Sequence, residues 1–435
     1  MFLNVVLALG LLLSTSSQLR PDGAKIGPGE ACLALWLVLM LAREGRRLGP
    51  PLTPGLTRML TYWIVFAVAL CLGTMTGFAI GDIHDRNLFR HDIMAFAVSA
   101  AVSCLLVVEP GADARMRDVS WLLAILGAAW LALQVAFGWE LVNLGDFEPW
   151  EWDRFRGLSD NSNQLALFCA ILGLLTLHLA DSASRPGERI VALVCMTVAV
   201  VVGRLTQSNA FLIVLLAAVA IFVALKFRRW LTSREMTLSF RSASAWMFFL
   251  TLPLVAAYVI PLGSSVASPT DQIVMEMVRG AKSHEVNDAA NLRFELWNEA
   301  VRRGLESGML GLGPGPHIEI PNAIQVGRRT SVDAVSQASR PELHFAPNFE
   351  AHNTVLDLFV QSGLLGVSVL VWLVGSILAM TLQSRLDALT TLLCGLALFS
   401  IFHLVVRHPI VWFAIALCLV AAVNARRTAM TRAGS

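Results

Sequence analysis

Apolar runs recur along almost the whole chain, interrupted by short charged or Gly- and Pro-containing breaks. They lie at residues 2–15, 30–42, 60–80, 92–108, 119–138, 163–180, 189–203, 209–225, 244–262, 354–380, 387–405 and 409–424. A helix needs about 20 predominantly apolar residues to cross ~30 Å of hydrocarbon, so the pattern predicts an all-α polytopic membrane protein with about twelve transmembrane helices. The first run, Phe2–Leu13, lacks a basic leader and a small-x-small cleavage site, and reads as a short span rather than a signal peptide.

One stretch breaks the rhythm. Residues 263–353 are too polar to span and too long for a turn, which predicts a large loop between the ninth and tenth spans. The chain then divides into 1–262 (spans one to nine), 263–353 (the loop) and 354–435 (spans ten to twelve and a tail). Inside the loop, Leu292, Leu296, Trp297, Ala300, Val301 and Leu305 recur near helical spacing, predicting an amphipathic helix over Ala289–Met309. Gly311, Gly313, Pro314, Gly315 and Pro316 end it, and Gln325–Arg340 is polar without periodicity.

Charge orients these spans. With the N-terminus inside, seventeen of the 33 basic residues fall in cytoplasmic segments, eight in short outer loops and eight in the long loop. Cytoplasmic loops carry such an excess, so both termini are expected in the cytoplasm and residues 263–353 outside it. Hydrophobic residues make up 56% of the chain and charged ones 15%, against roughly 45–50% and 25% in a soluble domain. A net charge of +2 gives no reason to expect nucleic acid as a partner. All seven cysteines lie in apolar runs with no CxxC, suggesting neither a disulfide framework nor a zinc site.

Four constellations at the outer ends of spans could carry chemistry. Phe155-Arg156-Gly157-Leu158-Ser159-Asp160-Asn161-Ser162-Asn163-Gln164 stands at the entrance of the sixth span. Asp160 or Asn161 would cap that helix, while Arg156 would meet either a lipid phosphate or a substrate diphosphate. Gly203-Arg204-Leu205-Thr206-Gln207-Ser208-Asn209 is a tight outer turn, where Arg204 either snorkels to the interface or faces a cavity. In Asn291-Leu292-Arg293-Phe294-Glu295-Leu296-Trp297-Asn298-Glu299-Ala300, Arg293 and Trp297 sit one helical turn apart, so the indole could pack beside the guanidinium. A surface helix held by Glu299–Arg303 fits the same spacing. Ala351-His352-Asn353-Thr354 marks membrane re-entry; Asn353 reads as a helix cap, and His352 has a pKa suited to a general base.

Taken in order, FRGLSDNSNQLAL, the RLTQSN turn, NLRFELWNEA followed by GLGPGP, and AHNTVLDLFVQSGLLG resemble the O-antigen ligase and polysaccharide polymerase family of bacterial inner-membrane enzymes. The resemblance covers roughly residues 150–370. It implies transfer of a glycan from an undecaprenyl diphosphate carrier to a glycan or lipid-linked acceptor on the periplasmic face, without a metal or cofactor. By that resemblance Arg156, Arg204 and Arg293 bind the diphosphate and His352 activates the acceptor hydroxyl, with Trp297, Asn353 and Asn163 in support. Many members have Ser-Arg in the outer turn, where this chain has Ser208-Asn209; Arg204, one helical turn earlier, would substitute.

The acidic loop Gly81-Asp82-Ile83-His84-Asp85, with His91 and Asp92, could ligate a divalent cation but reads as a solvated loop. A lipid-linked-sugar transporter or flippase is the rival function. Charged residues are nearly absent from mid-span positions and polar residues gather on one side, which favours surface chemistry over a transport path.

Overall fold

The computed structural model describes residues 1–20, 26–45, 52–82, 86–108, 111–151, 153–232, 293–319 and 348–433. Their helices are α1 (Phe2–Leu13), α2 (Pro28–Gly45), α3 (Pro54–Ile80), α4 (Arg86–Leu106), α5 (Ala112–Gly138), α6 (Ser162–Ser182), α7 (Pro186–Leu205) and α8 (Asn209–Thr232). They continue with α9 (residues 293–306), α10 (Thr354–Gln383), α11 (Asp387–Phe399) and α12 (Pro409–Ala433). Eleven of the twelve predicted apolar runs therefore have a helical counterpart, and 244–262 lies outside the described residues.

Seven of the described helices (α3, α4, α5, α6, α8, α10 and α12) are long and apolar enough to cross a membrane. The chain is a multi-pass, helical membrane protein. α1 and α11 have 12 and 13 residues, so at 1.5 Å per residue each covers only about 20 Å, short of the ~30 Å core.

Local chemistry sets the helix starts. Proline, which has no amide to leave unpaired in a first turn, opens α2, α3, α7 and α12. Thr53 caps α3 by accepting from Leu56 N at 3.2 Å, and Asn161 caps α6 by accepting from Gln164 N at 2.9 Å. α6 and α12 are the most buried of the seven long helices. α5, α7, α8 and α11 pack on α6, and α10 packs on α3 and α12. Tyr62, Trp63, Phe66, Phe96 and Trp412 form an aromatic cluster between α3, α4 and α12, with Trp63 Nε1 donating to Ser103 Oγ at 2.8 Å.

α10 is broken at Gly363, whose φ of 64° and ψ of −166° are not helical. The break frees backbone carbonyls at membrane depth, where each needs a partner. Leu312 N donates to Val360 O at 2.7 Å and Gly313 N to Gln361 O at 2.8 Å. The glycine-rich stretch after α9 thus plugs the break from one side. From the other, α3 approaches so closely that a Cβ on Gly73 would lie 2.5 Å from Gln361 O.

Two short antiparallel strand pairs complete this end of the bundle. β1 (Trp150–Glu151) pairs antiparallel with β2 (Arg154–Phe155), Trp150 opposite Phe155. β3 (Ile318–Glu319) pairs with β4 (Asn348–Phe349), Ile318 opposite Phe349. The β3–β4 pair ties the chain after α9 to the segment that carries His352. The predicted helix over 289–309 is seen from residue 293 to 306; Gln325–Arg340 and most of the long loop lie outside the described residues.

Candidate functional site

The four constellations join in pairs. The first pair comprises the hairpin before α6 and the turn between α7 and α8. Arg154 Nε donates to Thr206 O at 3.2 Å, and Gln207 Nε2 donates to Asp153 O at 2.7 Å. Arg154 also donates to Asn163 Oδ1 at 3.0 Å. Asn163 is thereby a positioning group for a residue the sequence reading missed.

Arg156 is held by an acid of its own loop. Its Nε donates to Glu148 O and its other nitrogen to Glu148 Oε2, both at 2.9 Å. Arg204 ends α7, half-buried, and its guanidinium makes no hydrogen bond or ion pair among the described residues.

The second pair is α9 and the re-entrant segment. Trp297 Nε1 donates to Ala351 O at 3.1 Å, while its ring meets Phe294 edge to face rather than stacking on Arg293. Through that bond the indole holds the loop that carries His352. The pairs predicted for a surface helix are present too, with Arg303 Nε 3.4 Å from Glu299 and Arg302 bonded to Glu299 and Glu306.

His352 stands in the left-handed region at φ 52°, a conformation costing roughly 1–3 kcal/mol that persists only where the surroundings impose it. Asp357, one turn into α10, imposes it. Its carboxylate accepts from Ala351 N at 2.7 Å and from Asn353 N at 3.1 Å, one residue either side of His352. Asn353 caps α10 as predicted, accepting from Val355 N and Leu356 N at 3.0 and 3.2 Å. Phe349 meets the imidazole edge to face at 5.1 Å.

Residues after α11 close the site. Thr354 N donates to Ser400 O at 2.8 Å, Thr354 Oγ1 donates to His403 O at 2.6 Å, and Val405 N donates to Thr354 Oγ1 at 3.0 Å. This pins the 400–408 segment beside His352. Arg407 lies 2.6 Å from Asp92 and is ion-paired with Glu350.

The electrostatics join the two pairs. Burial, then the neighbouring charge of Arg154, lowers the pKa of Arg293. Burial likewise depresses His352; Glu350 opposes the shift, while Arg293 and Arg407 add to it, so the imidazole is neutral near pH 7. For Glu350, burial acts upward but Arg407 and His352 outweigh it, holding the carboxylate low and charged. A neutral histidine thus sits beside a field of guanidiniums.

Asp82 and Asp92 are not the solvated acids expected. Asp92 is 1% exposed and accepts from Gly315 N at 3.1 Å besides pairing with Arg407. Asp82 Oδ2 meets His317 Nδ1 at 2.6 Å and lies near Arg303. Both acids fasten the glycine-rich stretch after α9 to α3 and α4. His84 and Asp85 lie outside the described residues, and no group of three potential metal ligands occurs among the described ones.

A family model described as O-antigen ligase matches residues 191–371. Over this segment, about two fifths of the chain, the protein is similar to the O-antigen ligase family. The match runs from α7 across α9 to α10, so it takes in Arg204, Arg293, Trp297 and His352, while Arg154, Arg156 and the segment after α11 lie outside it. No curated protein matches the chain significantly. The match and the apolar helices together support a membrane-embedded glycan-processing protein similar to O-antigen ligases.

Proposed function

We propose that the chain moves a glycan from undecaprenyl diphosphate to an acceptor sugar, as a polysaccharide polymerase or O-antigen ligase, with its site on the periplasmic face of a bacterial inner membrane. The observation that carries this reading is the neutral His352, fixed by Asp357 and tied by Trp297 to the helix bearing Arg293. A glycosyl diphosphate is already activated. Transfer breaks the bond between the anomeric carbon and the phosphate oxygen, forms one to the acceptor oxygen, and leaves the electron pair on the diphosphate. The enzyme must stabilise that charge and take one hydroxyl proton.

Arg293 and Arg154 meet the diphosphate in this proposal, because their guanidiniums already repel one another and an intervening anion relieves the repulsion. Arg204, with no partner among the described residues, and Arg156, after exchanging Glu148 for phosphate, extend the cationic surface. His352 takes the acceptor proton. No metal enters the scheme, since guanidiniums supply the positive charge.

Glycan analysis of a deletion strain tests it. Single repeats attached in place of long chains would identify a polymerase, and full-length chains left on the carrier a ligase. Surface and carrier-linked glycans that match the parent strain would sink the proposal.

A further inference from the structure

His403, in the segment after α11, has an imidazole whose role nothing above explains. Its carbonyl accepts from Thr354 Oγ1 at 2.6 Å, and Thr354 follows His352 by two residues. Its ring tilts against Phe399 at 5.1 Å between centroids. Its Nε2 is buried and makes no hydrogen bond among the described residues. A buried polar atom left without a partner is costly, so a native structure keeps one where something else supplies the partner.

The surroundings say what that partner is. The ring is pushed down to about 3 by burial and by the charges of His352, Arg293 and Arg154, and is therefore neutral at physiological pH. A further cation there would fight the guanidiniums. A neutral N–H donor adds a hydrogen bond to an anion without adding that repulsion. A sugar hydroxyl would satisfy the atom as well, but the hydroxyl that reacts belongs beside His352, and the groups whose charge His403 feels next are the two arginines.

Resting on the function proposed above, we infer that His403, as its Nε2–H tautomer, donates a hydrogen bond to a phosphoryl oxygen of the lipid-linked diphosphate between Arg154 and Arg293. It is a ligand of the leaving group and not a second base. Its contribution is to donor affinity and to the charge that develops as the bond to the anomeric carbon breaks.

The test uses the full chain in lipid nanodiscs, with undecaprenyl diphosphate, which carries no transferable sugar, as the probe. His403→Leu should weaken binding roughly tenfold, the worth of one such hydrogen bond, while His403→Gln, whose amide also donates, should stay within about threefold. Undecaprenyl monophosphate should bind less well to the parent and respond less to the substitutions. Melting temperatures close to the parent's show that both variants fold. A His403→Leu protein that folds and binds the diphosphate as tightly as its parent overturns the inference and leaves His403 a core imidazole. A parent that binds no undecaprenyl diphosphate overturns the functional proposal itself.

Discussion

Arg407 and Asp92 face each other at 2.6 Å with side chains only 14% and 2% exposed, joining the segment after α11 to α4. Arg407 also holds Glu350, two residues before His352, so one guanidinium fastens the loop bearing His352 to the bundle. Removing one partner of a buried pair strands the other charge at a cost of roughly 3–5 kcal/mol. Arg407→Met should therefore lower the melting temperature markedly. Adding Asp92→Asn and Glu350→Gln should restore part of the loss, because the acids it strands are then neutral. An Arg407→Met protein as stable as the parent would show that the network is idle.

Arg154, not Arg156, should be the arginine of the β1–β2 hairpin whose loss is felt most. Arg154→Ala removes a guanidinium that Thr206 and Asn163 hold in place, whereas Arg156 is already committed to Glu148. Glycan-transfer assays should show a drop of at least about tenfold more for Arg154→Ala than for Arg156→Ala, a difference of ~1.4 kcal/mol in transition-state stabilisation. Arg293→Lys should also lose most activity, since an ammonium cannot offer a planar fork to phosphate. Equal losses at 154 and 156, or a fully active Arg293→Lys, would reverse these assignments.

The contrast between Arg154 and Arg156 shows what local pattern conveys and what it omits. Period and composition located the helices of the spans, and Asn353 and Asn161 were recognisable as caps because capping is a contact over three residues. Glu148 neutralising Arg156 depends on a hairpin of two-residue strands, too short to leave a periodic signal. Asp82 and Asp92 looked solvated because the His317 and Arg407 that bury them lie on other elements far along the chain. His403 and Arg407 were missed for the same reason. The motif around His352 ends before them, and Thr354 and the Arg407–Glu350 pair bring their segment back to it.

Gly363 should resist substitution. At φ 64° any Cβ is strained, and an added one would lie 2.2 Å from Met309 O. Gly363→Ala should cost several kcal/mol, the sum of ~1–3 for the backbone and more for the clash. Gly375, in the same helix with nothing within 4 Å of its would-be Cβ, is the control: Gly375→Ala should be neutral or stabilising by about 0.5–1 kcal/mol. Melting curves of the two variants check both, and equal curves would mean that the break in α10 is not held as described.

Chelation should leave turnover intact. Asp92 and Asp82 are already engaged by Arg407 and His317, and the proposed charge stabilisation comes from arginines. Assays in excess EDTA should match untreated enzyme. Activity lost to chelator and restored by magnesium or manganese would move attention to the acidic loop between α3 and α4.

The pH profile tests His352 most directly. As a base it must be neutral, so the rate should fall as pH drops through its pKa. Burial, with Arg293 and Arg407, places that limb below the usual histidine value near 6.5, while Glu350 pulls it back up. The profile should therefore be flat above about pH 7 and drop on the acid side. Glu350→Gln removes the one contribution that favours the imidazolium, so its acid limb should move to still lower pH. His352→Ala should abolish the limb and cut the rate by roughly 10²–10⁴-fold, yet bind undecaprenyl diphosphate as before, because the guanidiniums remain. An acid limb that survives in His352→Ala, or one that shifts upward in Glu350→Gln, would assign the titrating group elsewhere.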